Sequence, residues 1–122
     1  MQISYSSDIV IQNGIVYNTR TITDATLSPF NLNATDGSYG GYDHCIRVMT
    51  SNALTINLPD TADEGLENGR VYYIFSGIST TSGITVFGNG NDIYGSDRYI
   101  ITSGYNSIHI MYSTDLGEWL II

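Results

Sequence analysis

The sequence contains no lysine and only four arginines, Arg20, Arg47, Arg70 and Arg98, against twelve acidic residues, for a formal net charge of −8 at pH 7. A surface so poor in cations repels phosphate backbones and anionic headgroups, which argues against nucleic acid and against a membrane surface as partners. Charged residues of either sign are 13% of the chain, well under the usual quarter, so Ser, Thr, Asn, Gly and Tyr supply the surface. Cys45 is the single cysteine, which excludes an intrachain disulfide and a thiolate metal cluster. No run of eighteen apolar residues occurs, and the first residues, MQISYSSD, carry no basic segment followed by a long apolar one. Neither signal-led export nor membrane insertion is therefore expected. No 3.6-residue apolar period persists, so no helix longer than about two turns is expected either.

What the chain does contain is short runs of Val, Ile, Tyr, Phe and Thr between Gly, Asn, Asp and Ser, the pattern of consecutive strands in an all-β domain. The clearest stretch is Gly69 to Ile122. Val71 to Phe75 is continuously apolar, which predicts burial on both sides. Ser107 to Ser113 alternates, with Ile108, Ile110 and Tyr112 on one face and His109 and Met111 on the other. Ile84 and Val86 share a face, Gly88 to Asp92 supplies residues that tolerate positive φ, and Ser113 to Gly117 is a second turn cluster. The final Glu118-Trp119-Leu120-Ile121-Ile122 is too apolar for a solvated tail, so it is expected to dock in a sheet or interface.

Further upstream, Asn13-Gly14 between Ile9-Val10-Ile11 and Ile15-Val16-Tyr17 predicts a two-residue hairpin with a type I′ turn. Asn18 to Thr26, in which Thr19, Thr21 and Thr23 alternate with Arg20, Ile22 and Asp24, suits an exposed or edge strand, interrupted at Pro29, which has no backbone donor. Residues 31–42 are nearly all turn formers. His44 to Met49 and Ala53 to Leu58 resemble a pair of strands joined by Thr50-Ser51-Asn52, with Leu54, Ile56 and Leu58 on one face. Asp60 to Asn68, which holds four acidic residues, suits a single helical turn. No internal repeat is visible. At 122 residues one hydrophobic core is expected, with residues 1–26 forming the hairpin and a connecting strand and residues 27–122 the main sandwich.

The order of these pieces resembles the C-terminal β-domain of bacteriophage and other viral fibre, spike and capsid-decorating proteins. The residues that carry the likeness are Thr55-Ile56-Asn57-Leu58-Pro59, Gly69-Arg70-Val71-Tyr72-Tyr73-Ile74, Gly83-Ile84-Thr85-Val86, Tyr105-Asn106-Ser107-Ile108-His109-Ile110 and Gly117-Glu118-Trp119, and it spans roughly residues 20 to 122. The resemblance implies an antiparallel β-sandwich or jelly-roll-like domain that assembles as a homotrimer in a virion, beside other capsid or tail proteins. It implies no chemistry and no cofactor. The apolar end, Trp119, Leu120, Ile121 and Ile122, is the expected trimer interface.

Other constellations have plainer readings. His44 and Cys45 are neighbours on an expected strand and so point apart, which rules them out as a base and nucleophile pair; Cys45 reads as a small core residue. His109 reads as an exposed strand residue, although three symmetry copies on an axis would suit an ion. Gly88 to Gly95 resembles a calcium turn but has neither stacked repetition nor a bidentate Glu. The pairs Asp63-Glu64 and Asp92 with Asp97 are expected to be solvated rather than catalytic. Among the ten tyrosines, Tyr72, Tyr73, Tyr99 and Tyr112 are expected in the core or a subunit contact. Tyr39, Tyr42, Tyr94 and Tyr105 are candidates to stack on the sugar rings of a host-surface glycan. Two functions follow: a non-enzymatic virion structural protein, and a carbohydrate-binding receptor-recognition module.

Overall fold

A computed structural model describes residues 19–32, 44–60, 66–78, 83–102 and 105–122. Among them every regular element is a strand, and the strands form two sheets, both mixed. The six-stranded sheet contains, in spatial order, β1 (Thr19–Ile22), β3 (Cys45–Val48), β5 (Val71–Ser76), β9 (Ser107–Ser113), β10 (Glu118–Ile121) and β7 (Asp92–Ile93). The four-stranded sheet contains β2 (Phe30–Asn31), β4 (Leu54–Asn57), β6 (Ile84–Phe87) and β8 (Arg98–Ile101). The expected hairpin at Asn13-Gly14, the loop over residues 33–42 and most of the turn after Asp60 lie outside the described residues.

The path corrects the antiparallel expectation. From β1 to β8 the chain changes sheet at every strand, so β1–β2, β3–β4 and β5–β6 are successive coils wound around one core. Within each sheet the coils stack in parallel, β1 on β3 on β5 and β2 on β4 on β6. Paired residues in adjacent coils are roughly 26 to 30 apart, as in Thr19 with Cys45 and Ile56 with Val86. For the same reason the segments 44–49 and 53–58 do not pair with each other: β3 and β4 are opposite sides of one coil. The antiparallel pairs are confined to the C-terminal end, where β8 covers β6, β9 covers β5, and β10 follows β9.

Register explains the core. Ile22, Val48 and Ser76 form one inward row and Ile46, Ile74 and Ile108 the next, while Leu54, Ile84 and Ile101 face them from the other sheet. All are buried, and each large side chain so placed contributes roughly 1.5–3 kcal/mol. The corners stack as well. The buried Thr50 hydroxyl, in the turn of the second coil, donates to the Asp24 carboxylate in the turn of the first, and accepts the Asn52 N–H. On the outer face of the four-stranded sheet, Asn57 donates its side-chain amide to Asn31 at 3.0 Å, a cross-strand pair of the kind that fixes register. Arg20 lies over the Phe30 ring at 5.3 Å, and Phe30 packs against the core.

Three side-chain expectations change. β5 is not buried on both sides: Tyr72, Ile74 and Ser76 point inward, whereas Val71, Tyr73 and Phe75 are half-buried on an outer face that no other strand layer covers among the described residues. Cys45 also points outward and is half-buried, because the inward positions of β3 are Ile46 and Val48. Trp119 is fully buried within its own chain, with Tyr72 and Tyr112 rings 5.6 and 5.2 Å away. Its indole is therefore a core group and not an interface residue.

Candidate functional site

Strand alternation decides what the outer face of the six-stranded sheet presents. Leu120, Met111 and Val71 are register partners across β10, β9 and β5. His109, Tyr73 and Cys45 make the adjacent row across β9, β5 and β3, and Ile122 joins it by donating its N–H to the His109 carbonyl at 2.8 Å. Within this face, His44, Cys45, Val71, Tyr73, His109 and Ile122 line an open groove of about 590 Å³, a volume in the range of small-molecule sites. His44, just ahead of β3, is tied in by the Tyr73 N–H, which donates to its carbonyl at 2.8 Å.

The walls are apolar and the polar groups are few. Tyr73 is gripped from two sides, by His109 edge-on at 5.4 Å and by Phe75 at 5.2 Å, arrangements that aromatic quadrupoles favour. Burial pushes the His44 imidazole below its ordinary pKa; a hydrogen bond with the Val71 backbone opposes this, and repulsion from His109 and Arg70 adds to it. Burial likewise pushes the Cys45 thiol up, away from the nucleophilic thiolate. His44 and Cys45, expected to point apart, both border this groove. Sequence reasoning missed the site because its two imidazoles are brought together only by the β3–β5–β9 register.

The candidate tyrosines do not converge. Tyr39 and Tyr42 lie outside the described residues. Tyr94 follows β7 at the sheet edge beyond β10, whereas Tyr105 precedes β9 and donates its N–H to the Ile78 carbonyl at 3.2 Å, past the end of β5. Both are about two-thirds exposed, and both have positive φ, 48° and 60°, a conformation rarely adopted by bulky residues. Tyr94-Gly95 and Asn89-Gly90 are the central pairs of two tight turns, closed by Ser96 N–H to Ile93 and Asn91 N–H to Gly88. Glycine takes the second central position in each. Of the expected interface residues, Leu120 is half-buried on the outer face, and Ile121 and Ile122 are 42% and 56% exposed.

Among the described residues no group of three or more His, Cys, Asp or Glu side chains is placed to hold a metal ion. Asp97 is engaged by Arg98 through two 3.0 Å hydrogen bonds, and the guanidinium holds its carboxyl below the usual range. No family model matches the chain, and a search of curated proteins gives no match. The likeness to fibre-type β-domains thus rests on the sequence motifs themselves.

Proposed function

We propose that the chain is a non-enzymatic structural component of a virion, a β-sandwich domain that assembles as a homotrimer in a fibre head, spike or capsid decoration and contributes to host attachment. The observation that carries this reading is the outer face of the six-stranded sheet. Val71, Tyr73, Phe75, Met111 and Leu120 stand side by side there, half-buried and with no covering layer among the described residues, and contiguous apolar surface of this kind marks an association site. The central strands β3, β5 and β9 carry no carboxylate, although the chain as a whole is strongly acidic. Arg47 lies on β3, and Asp92 and Glu118 lie on the opposite side of the sheet. A cyclic trimer joins unlike edges, which suits a face that is cationic on one side and anionic on the other.

Light scattering at micromolar concentration tests the assembly. The expected mass is three times 13.4 kDa, and Met111→Glu with Leu120→Glu is expected to give a folded monomer. A monomeric parent chain would overturn the reading. A second function, glycan recognition, is favoured by the two exposed, conformationally constrained tyrosines. A glycan array on the parent, Tyr94→Ala and Tyr105→Ala chains tests it, and binding that survives both changes would remove these residues from consideration.

A further inference from the structure

We propose that the groove between β3, β5 and β9 is a binding site for a small ring-bearing organic acid, whose carboxylate lies against the His44 and His109 imidazoles and whose ring covers Val71 and Tyr73. The chain has two histidines, and both line this one groove. They come from distant parts of the sequence and meet because β3 pairs with β5 and β5 with β9, in the order Cys45, Tyr73, His109. On a molecule of net charge −8 an anion is repelled from most of the surface. Here it meets two imidazoles. Among the described residues the acids on this face of the sheet, Asp92 and Glu118, lie level with the far end of β9. Glu118 pairs with Ser113, four residues or about 13 Å along the strand from His109.

The rest of the groove suits a ring rather than a bare ion. Val71, Tyr73 and Ile122 are apolar or aromatic, and the contacts of Tyr73 with His109 and Phe75 fix its ring before any ligand arrives, which lowers the ordering cost of binding. A sugar acid and an aromatic acid share this chemistry of a carboxylate on a six-membered ring.

Proton linkage gives the site a signature. A bound carboxylate favours imidazolium, whereas the empty groove, through burial and repulsion from His109 and Arg70, resists charging His44. Binding therefore takes up a proton, and affinity rises as pH falls, by up to tenfold per unit for each coupled proton.

The full chain is titrated by NMR with glucuronate and with benzoate at pH 5.5 and 7.5, alongside glucose and benzyl alcohol as uncharged counterparts, and its mass is followed by light scattering in the same samples. One of the acids is expected to bind with a Kd of about 1 mM or tighter at pH 5.5, and about tenfold or more weaker at pH 7.5. Which acid binds separates a sugar from an aromatic ligand. His44→Gln with His109→Gln is expected to lose the pH dependence and at least tenfold in affinity. Val71→Asp, which sets a carboxylate in the groove wall, is expected to abolish binding. If the double variant misfolds, Val71→Asp alone decides. Because the groove shares Val71 and Tyr73 with the face assigned to the trimer contact, the titration is repeated on the Met111→Glu, Leu120→Glu monomer. Equal binding of the uncharged counterparts, pH-independent binding, unchanged affinity in either folded variant, or no binding of either acid to that monomer overturns the site, and the measured mass reports the oligomeric state separately.

Discussion

Gly88 has no room for a side chain. A Cβ there would overlap the Asn91 carbonyl oxygen, in the turn that Asn91 closes by donating to the Gly88 carbonyl. Because the obstacle is backbone, Gly88→Ala is expected to cost roughly 1–3 kcal/mol, read as a lowered urea midpoint. Trp119 tests the opposite fault. Trp119→Ala is expected to cost about 3–5 kcal/mol. Trp119→Phe should cost clearly less, since the indole N–H makes no hydrogen bond within the described residues and none is lost with it. His44 contributes a pH dependence. Its folded pKa is held below the ordinary 6.5, so protonation is resisted in the folded state. The associated stability is complete above that value and is lost as pH falls through it towards the folded pKa. The urea midpoint of His44→Gln, measured across this interval, should vary less with pH than that of the parent.

Among the elements, β10 separates the fold from the proposed association. Trp119 anchors it inward, the Trp119 carbonyl accepts the Tyr94 N–H at 2.8 Å, and Leu120 and Ile121 pair with Met111 and Ile110. Removing Leu120 to Ile122 takes away groups that the single chain covers only in part. The truncated chain is therefore expected to keep its β circular dichroism while its mass by light scattering falls to that of a monomer. A truncated trimer would mean that the contact lies elsewhere. The strands themselves were legible in the sequence: Ile108, Ile110 and Tyr112 face inward as their alternation requires, as do Leu54, Ile56, Ile84 and Val86. Their partners were not, because inward–outward alternation is the same for parallel and antiparallel neighbours. The coil repeat escaped notice because only its inward positions recur, and their spacing varies with the loops between them. β5 misled for a related reason: Val71, Tyr73 and Phe75 are as apolar as core residues, yet they face outward. The groove was hidden still further, since nothing local to His44 points to His109.

For the whole molecule, the dominant long-range quantity is the charge of −8, which copies of the chain must bring together when they associate. Salt screens that repulsion, with a Debye length of about 30 Å at 0.01 M and about 8 Å at 0.15 M. If the trimer is held by an apolar face, its dissociation on dilution should be more extensive at the lower ionic strength, as sedimentation at both salts would report. Tighter assembly at low salt would instead show that pairs such as Arg47 with Glu118 dominate the contact. The winding itself has a consequence of another kind, for size. Each coil passes its hydrogen-bonding edge to the next, so adding a coil leaves the cross-section unchanged and extends the body along one axis by a single strand spacing, about 4.8 Å. A chain in which residues 45–70 are duplicated would be longer but no wider, with β8, β9 and β10 still closing the same end. In a domain wound this way reach is counted in coils, and the distance from one end to the other can change in steps while the lateral surfaces keep their shape.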